Sequence, residues 1–176
     1  MCMKKLFCIC LSGLLFLCGT SCSARLTVDN SVSGDFDLNR YLGDWYEIAR
    51  FDHPFERGLS FCKANYSLRE DGKVAVLNSG IKNGKPKESK GKAKLTDDSR
   101  VLRVSFFGPF YGDYRILLLD EGYQWVLVGG SSDEFLWILS RTPQLTDEVR
   151  ETILSESARR GYDISKLIWV EQQKQS

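Results

Sequence analysis

The chain has one histidine, four prolines and no excess of either charge in its 176 residues. With His53 as the only imidazole, neither a serine–histidine–aspartate relay nor a histidine-based metal cluster can be assembled without weak substitutes. The 24 basic and 23 acidic side chains nearly cancel, and no basic face is concentrated enough to hold a nucleic acid. The lysines at 82–94 come closest, but Glu88 interrupts them and small residues alternate with them, as on a solvated strand face. The longest apolar run, Leu6 to Cys18, falls short of the ~20 residues a helix needs to cross hydrocarbon. No cofactor is called for. Cysteine is confined to the start of the chain (Cys2, Cys8, Cys10, Cys18, Cys22) apart from Cys62.

What is there begins with a targeting signal. Lys4 and Lys5 precede the apolar run, and Gly19-Thr20-Ser21-Cys22 follows it. A basic head, an apolar stretch of about a dozen residues and small residues before the cut fit a secretory signal. The cysteine after them resembles the acylation site of a bacterial lipoprotein, with Gly19 where a large aliphatic residue is usual. The resemblance implies cleavage after residue 21 and lipidation of Cys22. Simple secretion with a free Cys22 is the alternative. Acylation by several chains gives a stable membrane tether. It also leaves Cys62 as the lone thiol, so the fold stands without an intramolecular disulfide. Residues 22–35 read as a lipidated N-terminus and tether, 36–171 as the domain, and 172–176 as a tail.

From Gly43 onward, short runs of alternating polarity recur at ten to thirteen residues, bounded by turn residues. They predict strands near 43–51, 60–69, 73–82, 87–96, 100–107, 111–119, 123–130 and 134–140. Asp71-Gly72 and Asn83-Gly84 are tight-hairpin signals, and only the connection from Asp52 to Leu59 is long. Sequential hairpins without intervening helices exclude a βαβ architecture. Uniformly short links favour an up-and-down barrel over a Greek key. One helix follows, capped by Thr146, with Asp147 and Glu148 in its first turn and Gly161 as its stop. Val149, Ile153 and Ser157 or Ala158 mark its apolar face, and a last strand spans Ser165 to Val170. The fold class is therefore all-β: an eight-stranded antiparallel barrel with one C-terminal α-helix and a final short strand.

Strand side chains alternate between faces, and the charged set marks the outside. Lys63, Asn65, Ser67 and Arg69 face out, so Cys62, Ala64, Tyr66 and Leu68 face in. By the same logic Val74, Val76, Asn78, Gly91, Ala93, Leu95, Leu102, Val104, Phe106, Tyr114, Ile116 and Leu118 point inward. Lys92, Lys94, Arg103, Ser105, Asp113 and Arg115 point outward. Small residues (Ala64, Gly91, Ala93) beside aromatics (Tyr66, Phe106, Tyr114) leave room, favouring a barrel that holds one small ligand over one filled by side chains. Charge leaves two strands undecided. Phe135, Trp137 and Leu139 share a face of the eighth. In the first, an inward Trp45 brings Glu47 with it, and a buried carboxylate must find a partner or shift its pKa.

Gly43-Asp44-Trp45-Tyr46 resembles the Gly-x-Trp signature of the lipocalin family. Gly112-Asp113-Tyr114 is similar to that family's Thr-Asp-Tyr motif with glycine for threonine. Arg141 matches the arginine that packs across the tryptophan, a cation–π contact. Tyr41 to Phe51, Ala64 to Leu68, Val104 to Tyr114 and Leu136 to Pro143 resemble the bacterial lipocalins and their apolipoprotein D-like relatives, and the likeness covers roughly residues 36–171. It implies a lipid-anchored protein of the cell outer membrane, facing the periplasm, that binds a fatty acid or lysophospholipid for envelope lipid maintenance. It also implies that Tyr66, Asn78, Tyr114 and Trp137 line the ligand, and it turns Trp137 inward. The expected ligand wall is Ala64, Tyr66, Val76, Asn78, Val104, Phe106, Tyr114, Ile116, Phe135 and Trp137.

Two other readings stay open. Lipocalin-type prostaglandin synthases use a thiol inside the barrel, and Cys62 falls on the inner face, which allows a thiol-dependent isomerase. Against it, Lys63 points away, and an activated thiol needs positive charge nearby. An envelope interaction module is the third reading, with Phe107, Phe110 and Tyr111 as a contact patch or homodimer surface, or else as a cap on one barrel end. His53, beside Pro54, reads as a surface loop residue. A binding protein rather than an enzyme is expected.

Overall fold

The computed structural model describes residues 28–172; the signal, Cys22 and the last four residues lie outside them. Eight antiparallel strands form a closed barrel: β1 (Gly43–Arg50), β2 (Ser60–Leu68), β3 (Val74–Lys82), β4 (Lys85–Leu95), β5 (Val101–Phe107), β6 (Phe110–Leu119), β7 (Trp125–Gly129) and β8 (Leu136–Ser140). Each pairs with its sequence neighbour, β8 pairs with β1, and β1 pairs with β2, so no edge is left free there. Helix α1 (Leu38–Tyr41) precedes the barrel and α2 (Asp147–Arg159) follows it.

Local chemistry explains the hairpins. Asn83 and Gly84 both have positive φ, at 53° and 70°, the geometry of a two-residue turn matched to strand twist. Asp71-Gly72 folds differently. Only Gly72 is left-handed, Gly72 N–H donates to Arg69 O, and Arg69 N–H donates to Lys73 O. This is the longer hairpin in which a right-handed turn ends on one left-handed glycine. Thr146 caps α2 by accepting from Val149 N–H. Ile153 and Ser157 of α2 are fully buried, whereas Ala158 is exposed.

Two apolar cores result. One fills the lower barrel around Trp45, Tyr41, Val74, Ile116, Val126 and Val128. The other lies between α2 and the outer faces of β1, β6, β7 and β8, around Ile48, Leu117, Leu127, Leu136, Ile138 and Ile153. Strands β7 and β8 are thus buried on both faces, which is why polarity could not orient β8.

Register shifts interrupt the ladders of β1–β8, β2–β3, β5–β6 and β6–β7, and those in β1 and β6 change which way the following residues face. In β1 the register slips between Glu47 and Ala49, so Ile48 is the extra residue. Trp45 and Glu47 point inward, and Arg50 also turns in beside them. In β6 the slip falls between Ile116 and Leu118. Leu118, expected inside, therefore packs against the helix-side core, and Leu119 takes the inner position. Ser105, expected on the outside, is buried, its hydroxyl donating to Gly108 O. Leu68 and Leu95 follow the inner alternation but are about half exposed at the strand ends.

The wall between β1 and β2 is completed by the C-terminus. The first half of β1 pairs with β2, and its second half pairs with β9 (Ile168–Trp169). A 3₁₀ turn, Ile164–Lys166, replaces the start of the strand expected from Ser165. Phe61 N–H donates to Glu171 O, and the Gln172 amide donates to Glu47 O and Cys62 O. The segment up to Gln172 is thereby wedged into the barrel wall.

Candidate functional site

One end of the barrel is shut. Arg141 lies 3.8 Å over the Trp45 ring. Its guanidinium donates to the carbonyls of Arg40, Tyr41, Leu42 and Asp44, satisfying the orphan carbonyls at the end of α1. The Trp45 indole donates to Tyr41 O. Asp113 sits between Arg103 and Arg115, so the signature residues hold the scaffold together.

Above this plug the hydroxyls of Tyr41, Tyr114 and Tyr66 form a chain, 2.6 and 3.0 Å apart. Burial holds all three well above the ordinary tyrosine range, so they act as neutral hydrogen-bonding groups. A cavity of about 280 Å³ opens above them. Ala64, Tyr66, Val76, Asn78, Val104, Phe106, Tyr114, Phe135 and Trp137 border it. Ile116 does not; it is fully buried in the floor. Glu47, Phe55, Glu56, Gly130, Ser131 and Leu139 also line this space. A second lobe of about 460 Å³ shares Glu47, Phe55, Glu56, Asn78 and Phe106 with the first, and continues past Cys62 to Lys82, Lys87, Phe107 and Phe110. Both sizes are of the order found for small-molecule sites, ~300–1,000 Å³.

Small residues alone do not create this space. A Cβ on Gly91 would lie 2.8 Å from the Phe106 ring; Phe106 fills the gap that Gly91 leaves, and Ala93 is packed in the core. The room comes from the barrel's width above the tyrosine floor.

Where the lobes meet stands a polar cluster. Arg50 donates to Glu47 at 2.6 Å, to the carbonyls of Glu56 and Leu59, and lies 3.8 Å from Cys62 Sγ. Glu47 therefore finds a partner and also shifts: burial raises its pKa, and Arg50 offsets part of the rise. Glu56, on the first loop, accepts from the Trp137 indole at 3.1 Å. Burial, then repulsion from Glu47, pushes its carboxyl up to about 8. One cation thus faces two carboxylates, and Glu56 holds its proton at neutral pH. Asn78 Oδ1 is buried there without a partner among the described residues. An acceptor in that position has space for a donor brought by a ligand.

Cys62 is free and buried. Burial, then the Glu47 charge, pushes its thiol up to about 12 despite Arg50, the opposite of an activated nucleophile. His53 corrects the surface assignment. It is 5% exposed and stacks on Phe135 at 4.8 Å and Phe55 at 5.3 Å, with Trp137 at 5.1 Å. Burial lowers its pKa. Its carbonyl accepts from Glu56 and Arg57 N–H, so a neutral His53 pins the first loop across the cavity mouth. Sequence reasoning missed Glu56, Arg50 and Phe55. The signal was a loop of carboxylate and aromatic residues beside a long connection.

Comparison with known proteins gives concordant results. A family profile described as a lipocalin-like domain matches residues 36–172. The outer membrane lipoprotein Blc of Escherichia coli K12 is 51% identical over 146 residues, covering 81% of this chain and 82% of the relative. The protein of that name from Vibrio cholerae serotype O1 is 46% identical over 166 residues, covering 90% and 97%. Among solved structures, insecticyanin of the tobacco hornworm Manduca sexta superposes with a TM-score of 0.66 at 21% identity, covering 87% of each chain.

Proposed function

The chain belongs to the lipocalin family, and from that premise we propose that it is an outer-membrane, lipid-anchored carrier that holds one fatty acid or lysophospholipid for envelope lipid maintenance. The observation that carries this reading is the two-lobed cavity inside a closed barrel, apolar along most of its wall with a few inward polar groups. Val76, Val104, Phe106, Phe135 and Trp137 take the acyl chain. The Tyr66–Tyr114 hydroxyls, Asn78 and the Glu56 carboxyl present hydrogen-bonding groups to the head of the ligand. Acylation at Cys22 tethers the barrel to the membrane, in keeping with relatives named as outer membrane lipoproteins, and the barrel faces the periplasm. Two features support binding rather than turnover: burial pushes the Cys62 thiol up, away from a nucleophile's range, and the imidazole of His53 is stacked among aromatic rings.

Burying ~14 methylenes at ~0.8 kcal/mol each gives roughly 11 kcal/mol, and association costs of about 4–15 kcal/mol offset much of it. Micromolar to submicromolar affinity is expected. The test is mass spectrometry of small molecules extracted from residues 23–176 purified from bacteria. A stoichiometric fatty acid or lysophospholipid, depleted in a Trp137→Ala/Tyr114→Ala variant, is the expected result. An empty protein that also fails to take up added lipid overturns the reading.

A further inference from the structure

We propose that the open end of the barrel docks on an anionic phospholipid bilayer through an aromatic lip, so that the cavity opens onto the membrane. This rests on the carrier reading in one respect, that the ligand comes from a membrane.

The lip is Phe55, Phe107 and Phe110, exposed at 62%, 77% and 79%. All three border the outer lobe of the cavity. Phe107 and Phe110 face each other across the β5–β6 hairpin. Three phenylalanines left in water at one mouth mark an interaction site. Their hairpin also stands forward of the β7–β8 loop, and by register the β3–β4 hairpin beside it reaches at least as far, since β4 runs on past Phe107 to Lys85. Gly129, the last residue of β7, pairs with Arg115, so β6 runs on for five residues, about 17 Å, beyond the end of β7. The β7–β8 loop with Asp133 and Glu134 starts that far back.

Charge selects an anionic surface. Lys82, Lys85 and Lys87 stand beside the lip, with Glu88 next in sequence; none of the three is in an ion pair among the described residues, whereas Asp52 on the first loop is neutralised by Arg57. The three loops at the shut end (69–73, 96–100 and 120–124) carry six carboxylates against three cations. An anionic bilayer attracts the first end and repels the second.

The tether allows the same orientation. Asp35 is held at the shut end by Arg100, Asn30 lies at the level of Arg115 and Tyr162, and Val28 lies beside Gly161. Followed backwards, the chain thus climbs from the shut end to mid-barrel. Six more residues lead to Cys22, a reach of up to ~20 Å, comparable with the rise from Arg115 to Phe110.

The test places a spin label at Pro109→Cys, on the hairpin tip, and at Glu121→Cys, at the far end, Cys62 being buried. The mature protein is taken from membranes with its acylation read by intact mass, then reconstituted into vesicles with phosphatidylglycerol or of phosphatidylcholine alone. In phosphatidylglycerol vesicles the tip label is expected about 5–10 Å inside the headgroup boundary, shielded from a water-soluble paramagnet, with the far label in water. Phosphatidylcholine alone, a Phe107→Ser/Phe110→Ser change or a Lys82→Glu/Lys85→Glu/Lys87→Glu change should each reduce the shielding. An acylated, membrane-bound protein whose tip label stays in water overturns docking and leaves the carrier reading intact. Chain from Ser23 onward, read in solution, distinguishes a second copy: a tip label already shielded without vesicles overturns the proposal in favour of self-association. Entry of that unanchored chain into phosphatidylglycerol vesicles supports docking even if acylation is absent.

Discussion

At the residue scale the site turns on how few charges the interior can hold. Glu47 takes Arg50 as its partner, and Glu56 is left to stay protonated. Its folded pKa, about 8, lies above its ordinary value of 4.5 because of burial and then Glu47. The folded state therefore binds the proton more tightly than the unfolded chain. The stability gained is fully present below about pH 4.5 and is lost as pH rises through about 8. Glu56→Gln does not titrate and keeps an oxygen for the Trp137 indole. Between pH 5 and 9 its melting temperature should fall roughly 8–16 °C less than that of the parent. Thermal melts across that range check it; parallel curves would show that Glu56 does not titrate in the window. His53 works the other way: its depressed pKa adds stability above its ordinary value of 6.5 that is lost at lower pH, and it is unchanged in the comparison. The inward turn of Glu47 was legible from its alternation with Trp45; the roles of Glu56 and His53 were not. A histidine next to Pro54 looks solvated unless the rings that cover it, from positions 55, 135 and 137, are known to converge.

At the element scale period-two alternation located every barrel strand to within a few residues, because polar and apolar sides differ along β2 to β6. It failed at the bulges. An extra Ile48 or Leu117 among apolar neighbours leaves no trace in polarity, yet it turns Arg50 inward and Leu118 outward. Helix α1 was equally silent: four residues carry no period, and Phe36 and Leu38 only acquire meaning once they are seen plugging the barrel floor. Gly91 on β4 gives a test of how strand and cavity are linked. A Cβ there would meet the Phe106 ring at 2.8 Å and Ser105 O at 2.9 Å. Gly91→Ala should cost about 1–3 kcal/mol by overpacking and drive Phe106 into the ligand space. Denaturant unfolding and lipid titration read the two effects; unchanged lipid affinity would mean that Phe106 does not border the ligand.

At the scale of the whole molecule, the ring of strands is closed at one seam by residues far apart in sequence. Removing residues 168–176 deletes the Val170–Ile48 and Phe61–Glu171 backbone bonds, the two Gln172 bonds and the stacking of Arg150 on Trp169. At about 1 kcal/mol for each hydrogen bond, the loss should be on the order of 3–4 kcal/mol, measured by urea unfolding. A truncated chain of parental stability would show that the seam closes without the wedge. The barrel, its strand order and its signature residues could be read from the chain, since each depends on local pattern. The final strand could be read as well, but its place in the seam could not, because nothing in residues 168–172 says that β1 and β2 part to receive them.

That seam also bears on how the protein is made. The residues that fill the seam come more than a hundred positions after the β1 and β2 residues they join, so its two sides are synthesised long before the piece that fills it. Sealing of the seam therefore follows the making of all eight barrel strands.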